Sequence, residues 1–209
     1  VIQMNTDMIE LVLNDHEKKP NQDNGIERAM TSLRKANQRA ATIISTLRNM
    51  FGSGRKSLTD FDFNEIINDV LMLCHSTLQR HSIDVIVHSD PNALRITGDK
   101  SQLQQVILNL ITNASEAFPE GFQGVKEISI KTSLEGSDIC LTVTDNGMGI
   151  EPDIQTMVFE LLRTNKKNGM GIGLWLSKTI VEAHQGSINF TTAMHQGTVF
   201  RVRLPAHTE

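Results

Sequence analysis

The feature that most limits the possible folds of this chain is a pair of glycine clusters, residues 145–150 and 169–174, separated by a short polar segment. Glycine is unfavourable inside helices and strands, but it permits left-handed backbone angles and removes the side chain that would keep a ligand away from the backbone. Two such clusters in succession are typical of a chain whose backbone approaches a nucleotide. The glycines and their neighbours are therefore the first candidates for a nucleotide site.

Residues 1–51 predict a pair of helices. Apolar side chains recur at helical spacing over residues 1–13 and again over about 25–51, with a polar loop between the two stretches. A hairpin of two helices cannot bury both of its apolar faces alone, so we predict a homodimer in which two copies of residues 1–51 form a four-helix bundle. Packing of the hairpin on the chain's own second domain is the alternative.

The Gly-Ser-Gly segment at residues 52–54 predicts a hinge between two domains, residues 1–54 and 55–209. Helices interspersed with hairpin-connected strands indicate an α+β domain, with one mixed sheet that helices cover on one face. The order of the glycine clusters excludes a Rossmann unit, and no Gly-Lys-Ser/Thr of a P-loop is present. Helices are predicted over residues 63–80, 101–117 and 171–184, and strands over 83–88, 93–97, 128–134, 139–144, 187–192 and 198–204.

Composition narrows the class of protein. The net charge of -4 and the pI near 6.0 give no basic field that would attract nucleic acid. Two isolated cysteines, Cys74 and Cys140, predict neither a disulfide framework nor a thiolate metal site, and we expect both to be buried in a cytoplasmic protein. No apolar run is long enough to cross a membrane. The chain begins at Val1, so we expect a fragment, which leaves membrane anchoring of the parent protein open.

Four segments in order carry a resemblance to a known family. Asn109 and Asn113 lie one helical turn apart within residues 105–117, a run that resembles the N box of histidine-kinase ATP-binding domains. Residues 145–150, 158–160 and 169–174 are similar to the G1, F and G2 boxes of that family.

The resemblance extends towards the start of the chain. Residues 39–51 are similar to the second helix of the dimerisation and phosphotransfer hairpin in oxygen-sensing and dicarboxylate-sensing kinases. The resemblance implies a sandwich of the histidine-kinase and gyrase type after that hairpin, with ATP and Mg²⁺ bound. It also implies phosphotransfer to a histidine and then to the aspartate of a response-regulator receiver domain.

The resemblance also implies roles for single residues. Asn113 would hold Mg²⁺ through its amide oxygen, Asp145 would accept a hydrogen bond from the adenine amino group, and Lys166 would meet the γ-phosphate. The remaining implied contacts with the nucleotide come from the glycines, from residues beside them, from the lid and from the strand that follows: Asn109, Gly147, Gly149, Ile150, Phe159, Thr164, Gly169, Met170, Gly171, Ile172, Gly173, Leu174 and Thr198.

Asn109 separates two branches of the superfamily. Gyrase, mismatch-repair and chaperone ATPases have a glutamate at this position, which activates water, whereas asparagine is a poor base. Hydrolysis is therefore disfavoured. The favoured interpretation is phosphotransfer, with Asn109 and Lys166 as catalytic residues. The alternatives are an ATP-driven conformational switch of the gyrase and chaperone type, and a degenerate kinase that acts as an interaction module.

None of the seven histidines fits the phosphoacceptor motif of a sensor kinase. His16 is followed by Glu17 and Pro20, but it lies in the polar loop between the two predicted helices, one residue short of the family spacing. Alignment of the second helix with the family places the acceptor about two helical turns before Val1. We therefore expect the acceptor histidine to lie outside this chain.

Overall fold

The computed structural model of the protein describes residues 30, 58–92, 94–161 and 171–207. The chain divides into two units, Val1–Gly54 and Arg55–Glu209. Apart from Met30, which is helical, all described residues belong to the second unit. The predicted helical hairpin and the hinge lie outside the described residues.

The second unit contains four described helices and seven strands in mixed order. The helices are α1 (Phe63–Arg80), α2 (Lys100–Ser115), α3 (Pro152–Gln155) and α4 (Gly173–Ala183). The strands are β1 (Leu58–Asp62), β2 (Ile83–His88), β3 (Arg95–Asp99), β4 (Lys126–Glu135), β5 (Asp138–Asp145), β6 (Ser187–Ala193) and β7 (Gly197–Pro205).

Five strands form one mixed sheet in the order β2-β4-β5-β7-β6. Strand β2 runs parallel to β4, and the other neighbouring strands are antiparallel. The predicted mixed sheet is therefore confirmed, as is the hairpin between β4 and β5, where Gly136 takes a φ of 68° in a two-residue turn.

The prediction of a single sheet is wrong, because β1 and β3 pair with each other in a separate two-stranded antiparallel sheet. Strand β1 was not predicted, since its sequence Leu-Thr-Asp-Phe-Asp holds two aspartates, which are unfavourable in strands. Pairing with β3 and the burial of Phe61 outweigh that local preference.

The small sheet determines where two helices begin. Strand β1 ends at Asp62, whose carboxylate caps α1 by accepting hydrogen bonds from the amides of Asn64 (2.9 Å) and Leu94 (3.2 Å). Strand β3 ends at Asp99, whose carboxylate caps α2 through the amide of Gln102 at 3.1 Å. Because each cap satisfies amides that the first helical turn leaves unpaired, both helices start directly from the paired strands.

The core lies between the five-stranded sheet and the helices. Helix α2 buries one face, whose apolar residues recur every three or four positions as the sequence predicts. This helix packs against α1 and α4. The buried side chains of this face and of the central strands are Leu103, Val106, Ile107, Leu110, Ile111, Ile128, Ile130, Leu141 and Val143.

A histidine connects the ends of two helices. His184, the residue after α4, accepts a hydrogen bond at Nε2 from the amide of Asp99 (3.1 Å). Its Nδ1 lies 2.8 Å from the carbonyl oxygen of Ile180, which can only accept, so Nδ1 carries the proton in this arrangement. The start of α2 is thereby joined to the end of α4.

The cysteines give the first prediction. Cys140 is 1% exposed and Cys74 is 9% exposed, and burial raises the pKa of both thiols. We expect the folded protein at pH 8 to react with a thiol-specific dye far more slowly than the unfolded protein does, with Cys140 slower than Cys74.

The raised thiol pKa values also predict a pH dependence of stability. The unfolded thiols ionise first, so their contribution to stability is present below a pH of about 8.5 and is lost as the pH rises through the folded pKa. Replacement by Cys140→Ala removes that residue's share of the decline, as urea unfolding at pH 7 and pH 10 measures. Rapid labelling of Cys140 in the folded protein would contradict this account.

Candidate functional site

The structure describes most of the residues that the sequence analysis predicts for a nucleotide site. Those in the described ranges lie on α2, at the end of β5 and in the loop after it, after α3, around the start of α4 and on β7: Asn109, Asn113, Asp145, Gly147, Gly149, Ile150, Phe159, Gly171, Ile172, Gly173, Leu174 and Thr198. Thr164, Lys166, Gly169 and Met170 lie outside the described residues.

Asp145 and Thr198 form a buried polar pair among these residues. Asp145 is the last residue of β5, and Thr198 lies directly opposite it on β7. Each is 3% exposed, and both lie on the side of the sheet that faces the helices, as their strand neighbours in the core do. The amide of Gly147 donates to Asp145 Oδ1 at 2.9 Å, which orients the carboxylate.

Three glycines allow the segments around this pair to approach one another. A Cβ on Gly147 would lie 2.6 Å from the carbonyl oxygen of Ala117, and a Cβ on Gly149 would clash with the carbonyl of Ala193. Gly197, with a φ of 88°, leaves no room for a Cβ beside the carbonyl of Asp145. Gly147 and Gly149 are among the predicted site residues, whereas Gly197 is not.

Backbone hydrogen bonds hold the loop after β5 between two other segments. The amide of Met148 donates to the carbonyl of Ala117 (3.0 Å), just after α2, and the carbonyl of Met148 accepts from the amide of His195 (2.9 Å) in the turn between β6 and β7. The amide of Ile150 donates to the hydroxyl of Thr192 at 3.0 Å. The loop therefore has a defined path although its glycines permit many.

Asn109 connects α2 to the first turn of α4. Its Nδ2 lies 3.1 Å from the carbonyl of Gly173 and 3.3 Å from the hydroxyl of Ser177, while its Oδ1 accepts from Gln105 at 2.9 Å. Asn113, one turn further along, is half-buried. The amide that the sequence analysis assigned to catalysis thus also fixes one helix against another.

Several residues of the predicted nucleotide set pack into the protein. Phe159 contacts Phe190 edge to face, with ring centroids 5.9 Å apart, and the ammonium of Lys178 lies 5.9 Å from the centre of its ring. Ile172 is buried, and Leu174 packs partly against the core. These side chains therefore contribute to packing within the domain.

The polar residues Gln105, Ser177 and Thr192, which hydrogen-bond to residues of the site, were not among the predicted site residues. Ser177 was detectable, because it lies one turn after Gly173 on a helix that is otherwise apolar on that face. Thr192 had no such signal, since threonine is common in strands.

Asn113 is the residue that the resemblance assigns to a metal ion. Among the described residues, no group of three His, Cys, Asp or Glu side chains is placed to hold a metal ion. A neutral amide oxygen such as that of Asn113 suits Mg²⁺, which usually keeps waters and phosphate oxygens as its other ligands.

A scan against protein families matches residues 98–208 to one family, described as histidine kinase-, DNA gyrase B- and HSP90-like ATPases. The matched segment begins before α2 and ends after β7, so it contains the whole cluster around Asp145.

Curated relatives include sensor kinases. The chain is 33% identical over 168 residues to sporulation kinase B of Bacillus subtilis (80% of this chain, 38% of that protein). It is 31% identical over 175 residues to the C4-dicarboxylate transport sensor protein DctB of Rhizobium meliloti (84% of this chain, 28% of that protein). The chain therefore spans well under half of these relatives.

Solved structures of histidine kinases share the fold. The nucleotide-free catalytic domain of the kinase ThkA superposes with a TM-score of 0.64 at 29% identity, covering 71% of this chain and 95% of that one. ThkA in complex with the response regulator TrrA gives a TM-score of 0.73 at 23% identity, over 99% of this chain and 59% of that one, which is a likeness of fold.

The glycines give the prediction for this site. In Gly197→Ala, the added Cβ meets the backbone of Asp145 and the residue must hold a left-handed φ, so we expect a loss of about 3 kcal/mol or more of unfolding free energy. Gly136→Ala is the matched control, because Gly136 has a similar φ of 68° with nothing within 4 Å of its Cβ. It should lose only about 1 kcal/mol. Urea unfolding measures both, and equal losses would contradict a role for crowding at residue 197.

Proposed function

Because this chain belongs to the family of histidine kinase-, DNA gyrase B- and HSP90-like ATPases, we propose that it is the ATP-binding core of a two-component sensor histidine kinase. In this proposal it binds ATP with Mg²⁺ and gives the γ-phosphate to a histidine, from which the phosphate passes to an aspartate of a response-regulator receiver domain. The observation that carries the proposal is the buried pair of Asp145 and Thr198 within a backbone cradle that a Cβ would fill.

The base of the nucleotide is assigned to the buried pair. The side chain of Asp145 is 3% exposed, and the hydrogen bond from the amide of Gly147 fixes its orientation as an acceptor. An exocyclic amino group is a donor from which this carboxylate can accept in addition to the amide of Gly147. Adenine has this group, and Gly147 and Gly149 keep side chains away from its path.

The phosphates are assigned to the other end of the cluster. Helix α4 begins at Gly173, and its first amides, which no helical carbonyl satisfies, favour a negative group. Asn113 would hold the Mg²⁺ ion, which neutralises phosphate charge when bound. Thr164 and Lys166, together with Gly169 and Met170, would contact the phosphates, with the lysine as a positive charge.

The choice of phosphotransfer over hydrolysis is supported by Asn109. An amide cannot take a proton from water as a carboxylate can. In addition, both ends of the Asn109 amide are hydrogen-bonded, to Gly173, Ser177 and Gln105, so Asn109 also positions α4 relative to α2.

The partners follow from the same proposal. The relatives named as sensor proteins and the solved ThkA complex with its response regulator support a receiver domain as the phosphate acceptor. Dimerisation through residues 1–51 remains a proposal that rests on the sequence pattern. None of the helices in the described part of the chain is long and apolar enough to cross a membrane.

Binding of ATP gives a direct prediction. At 100 times its Kd, Mg-ATP should stabilise the folded protein by about 2.7 kcal/mol, which raises the Tm by roughly 5–10 °C. In Asp145→Asn, the amide oxygen keeps the bond from Gly147, but an NH₂ group replaces the acceptor that faces the base, so the shift should disappear. Asp138→Asn, at the other end of β5, is the control and should keep it. No shift in the native protein would overturn the proposal.

Asn113 gives a separate prediction. Asn113→Asp keeps an oxygen ligand for Mg²⁺ but adds negative charge beside the phosphates, so the affinity for Mg-ATP should fall by about tenfold or more. The affinity for adenosine, which lacks phosphates, should stay unchanged, as calorimetric titration can measure. Asn189→Asp, on an exposed position of β6, is the matched control. Equal losses for Mg-ATP and adenosine would show that Asn113 is structural.

A further inference from the structure

Strand β2 forms one edge of the five-stranded sheet. It pairs with β4 on one side, and no other described strand pairs with its second side. The peptide groups of alternate residues therefore point away from the sheet. The middle of the strand consists of Val85, Ile86 and Val87, of which the last two are 40% and 39% exposed. Because no charge, proline or bulge interrupts these three residues, this edge can pair with a further strand.

The charged side chains around β2 are divided between its two ends. On the face of the sheet that lies away from the core, Asp84 lies beside Glu127 of β4 at the start of β2. At the end of β2, His88 lies beside Lys131 on the same face. Ile86 lies between the two ends, since side chains on one face recur at every second residue. One end of the edge is therefore acidic and the other is basic.

Antiparallel pairing of β2 with the β2 strand of a second copy would bring unlike ends together. If Ile86 lies opposite Ile86 of the second copy, Asp84 lies opposite His88 and Val85 lies opposite Val87. A shift by one residue would exchange the two faces of the sheet. A shift by two residues in either direction would place Ile86 opposite Asp84 or opposite His88. This register therefore matches the charged and the apolar side chains at once.

We propose that β2 is a self-association surface, on which two copies of this chain pair their edge strands about Ile86 and join their five-stranded sheets into one. Each acidic end then lies against the basic end of the other copy, so the contact between charges occurs twice across the two-fold axis. This surface is separate from the predicted bundle of residues 1–51. It does not depend on nucleotide binding, so its failure would leave the proposed function intact.

The first experiment traps the pairing in the full chain by disulfide cross-linking. In the proposed register, the two copies of residue 86 lie opposite each other at a Cα separation of about 4.5–5.5 Å, which a disulfide spans. Two copies of residue 84 would lie about 13 Å apart. Under mild oxidation, we expect Ile86→Cys to form a linked dimer about tenfold or more faster than Asp84→Cys does. Equal rates would indicate random collision and overturn the proposal.

The second experiment tests the contact between charges, with Ile86→Cys as the background. Asp84→Lys places a lysine against His88 and Lys131 of the second copy, so the rate of cross-linking should fall by about tenfold. Addition of His88→Asp restores a pair of opposite charges and should recover most of the rate. Glu120→Lys, in the exposed loop after α2, is the control and should leave the rate unchanged. No loss in Asp84→Lys, or no recovery in the double change, would contradict this register.

The third experiment leaves Ile86 in place. In Asp84→Cys/His88→Cys, the two cysteines lie about 13 Å apart within one copy but opposite each other across the axis, so a disulfide can form only between copies. We expect a linked dimer in which peptide mapping finds position 84 joined to position 88. If β2 instead accepts a strand of another protein, neither this variant nor Ile86→Cys links to itself faster than Asp84→Cys. That outcome would show that the proposed self-association is wrong.

Discussion

The close approach of three backbone segments determines the rest of this site. The loop after β5 lies against the end of α2 on one side and against the turn between β6 and β7 on the other, and Gly147, Gly149 and Gly197 stand where any side chain would clash with a neighbouring carbonyl. Backbone hydrogen bonds from Met148 then fix the loop in both directions. Asp145 and Thr198 are both buried beside this contact.

Much of this arrangement could be predicted from local sequence. Helix α1 has the predicted bounds of residues 63–80, and the strands of the main sheet have the predicted places within a few residues, because amphipathic periodicity and the turn at Gly136 are local signals. The candidate cluster around Asp145 was predictable because glycines mark positions of close approach. Strand β3 starts at Arg95 and not at residue 93. Helix α4 starts at Gly173 and not at Gly171, because Gly171 has a φ of 64°, which an α-helix does not accommodate.

The features that sequence reasoning missed depend on contacts between distant segments. Strand β1 is formed by its pairing with β3, and the sequence of neither strand predicts that pairing. Thr192 matters through partners at positions 150, 197 and 198, of which only a tertiary fold can bring the first into reach. Asn109 was assigned by resemblance to chemistry at the nucleotide, while its contacts with Gly173 and Ser177 are a matter of helix packing. Secondary-structure propensities and sequence motifs report on one segment of the chain. Strand pairing and the hydrogen bonds described here depend on two segments that only the tertiary fold brings together.

The connection at His184 has a mechanical consequence. Helix α2 is fastened to α4 twice, once through Asn109 at the start of α4 and once through Asp99 and His184 at its end. By helical rise, the two fastenings lie roughly 15 Å apart along each helix. A single contact would allow one helix to rotate against the other, whereas two separated contacts oppose that rotation. The two helices should therefore move as one rigid body. A displacement of the start of α4 would then also displace the start of α2 and the small sheet of β1 and β3 that adjoins it.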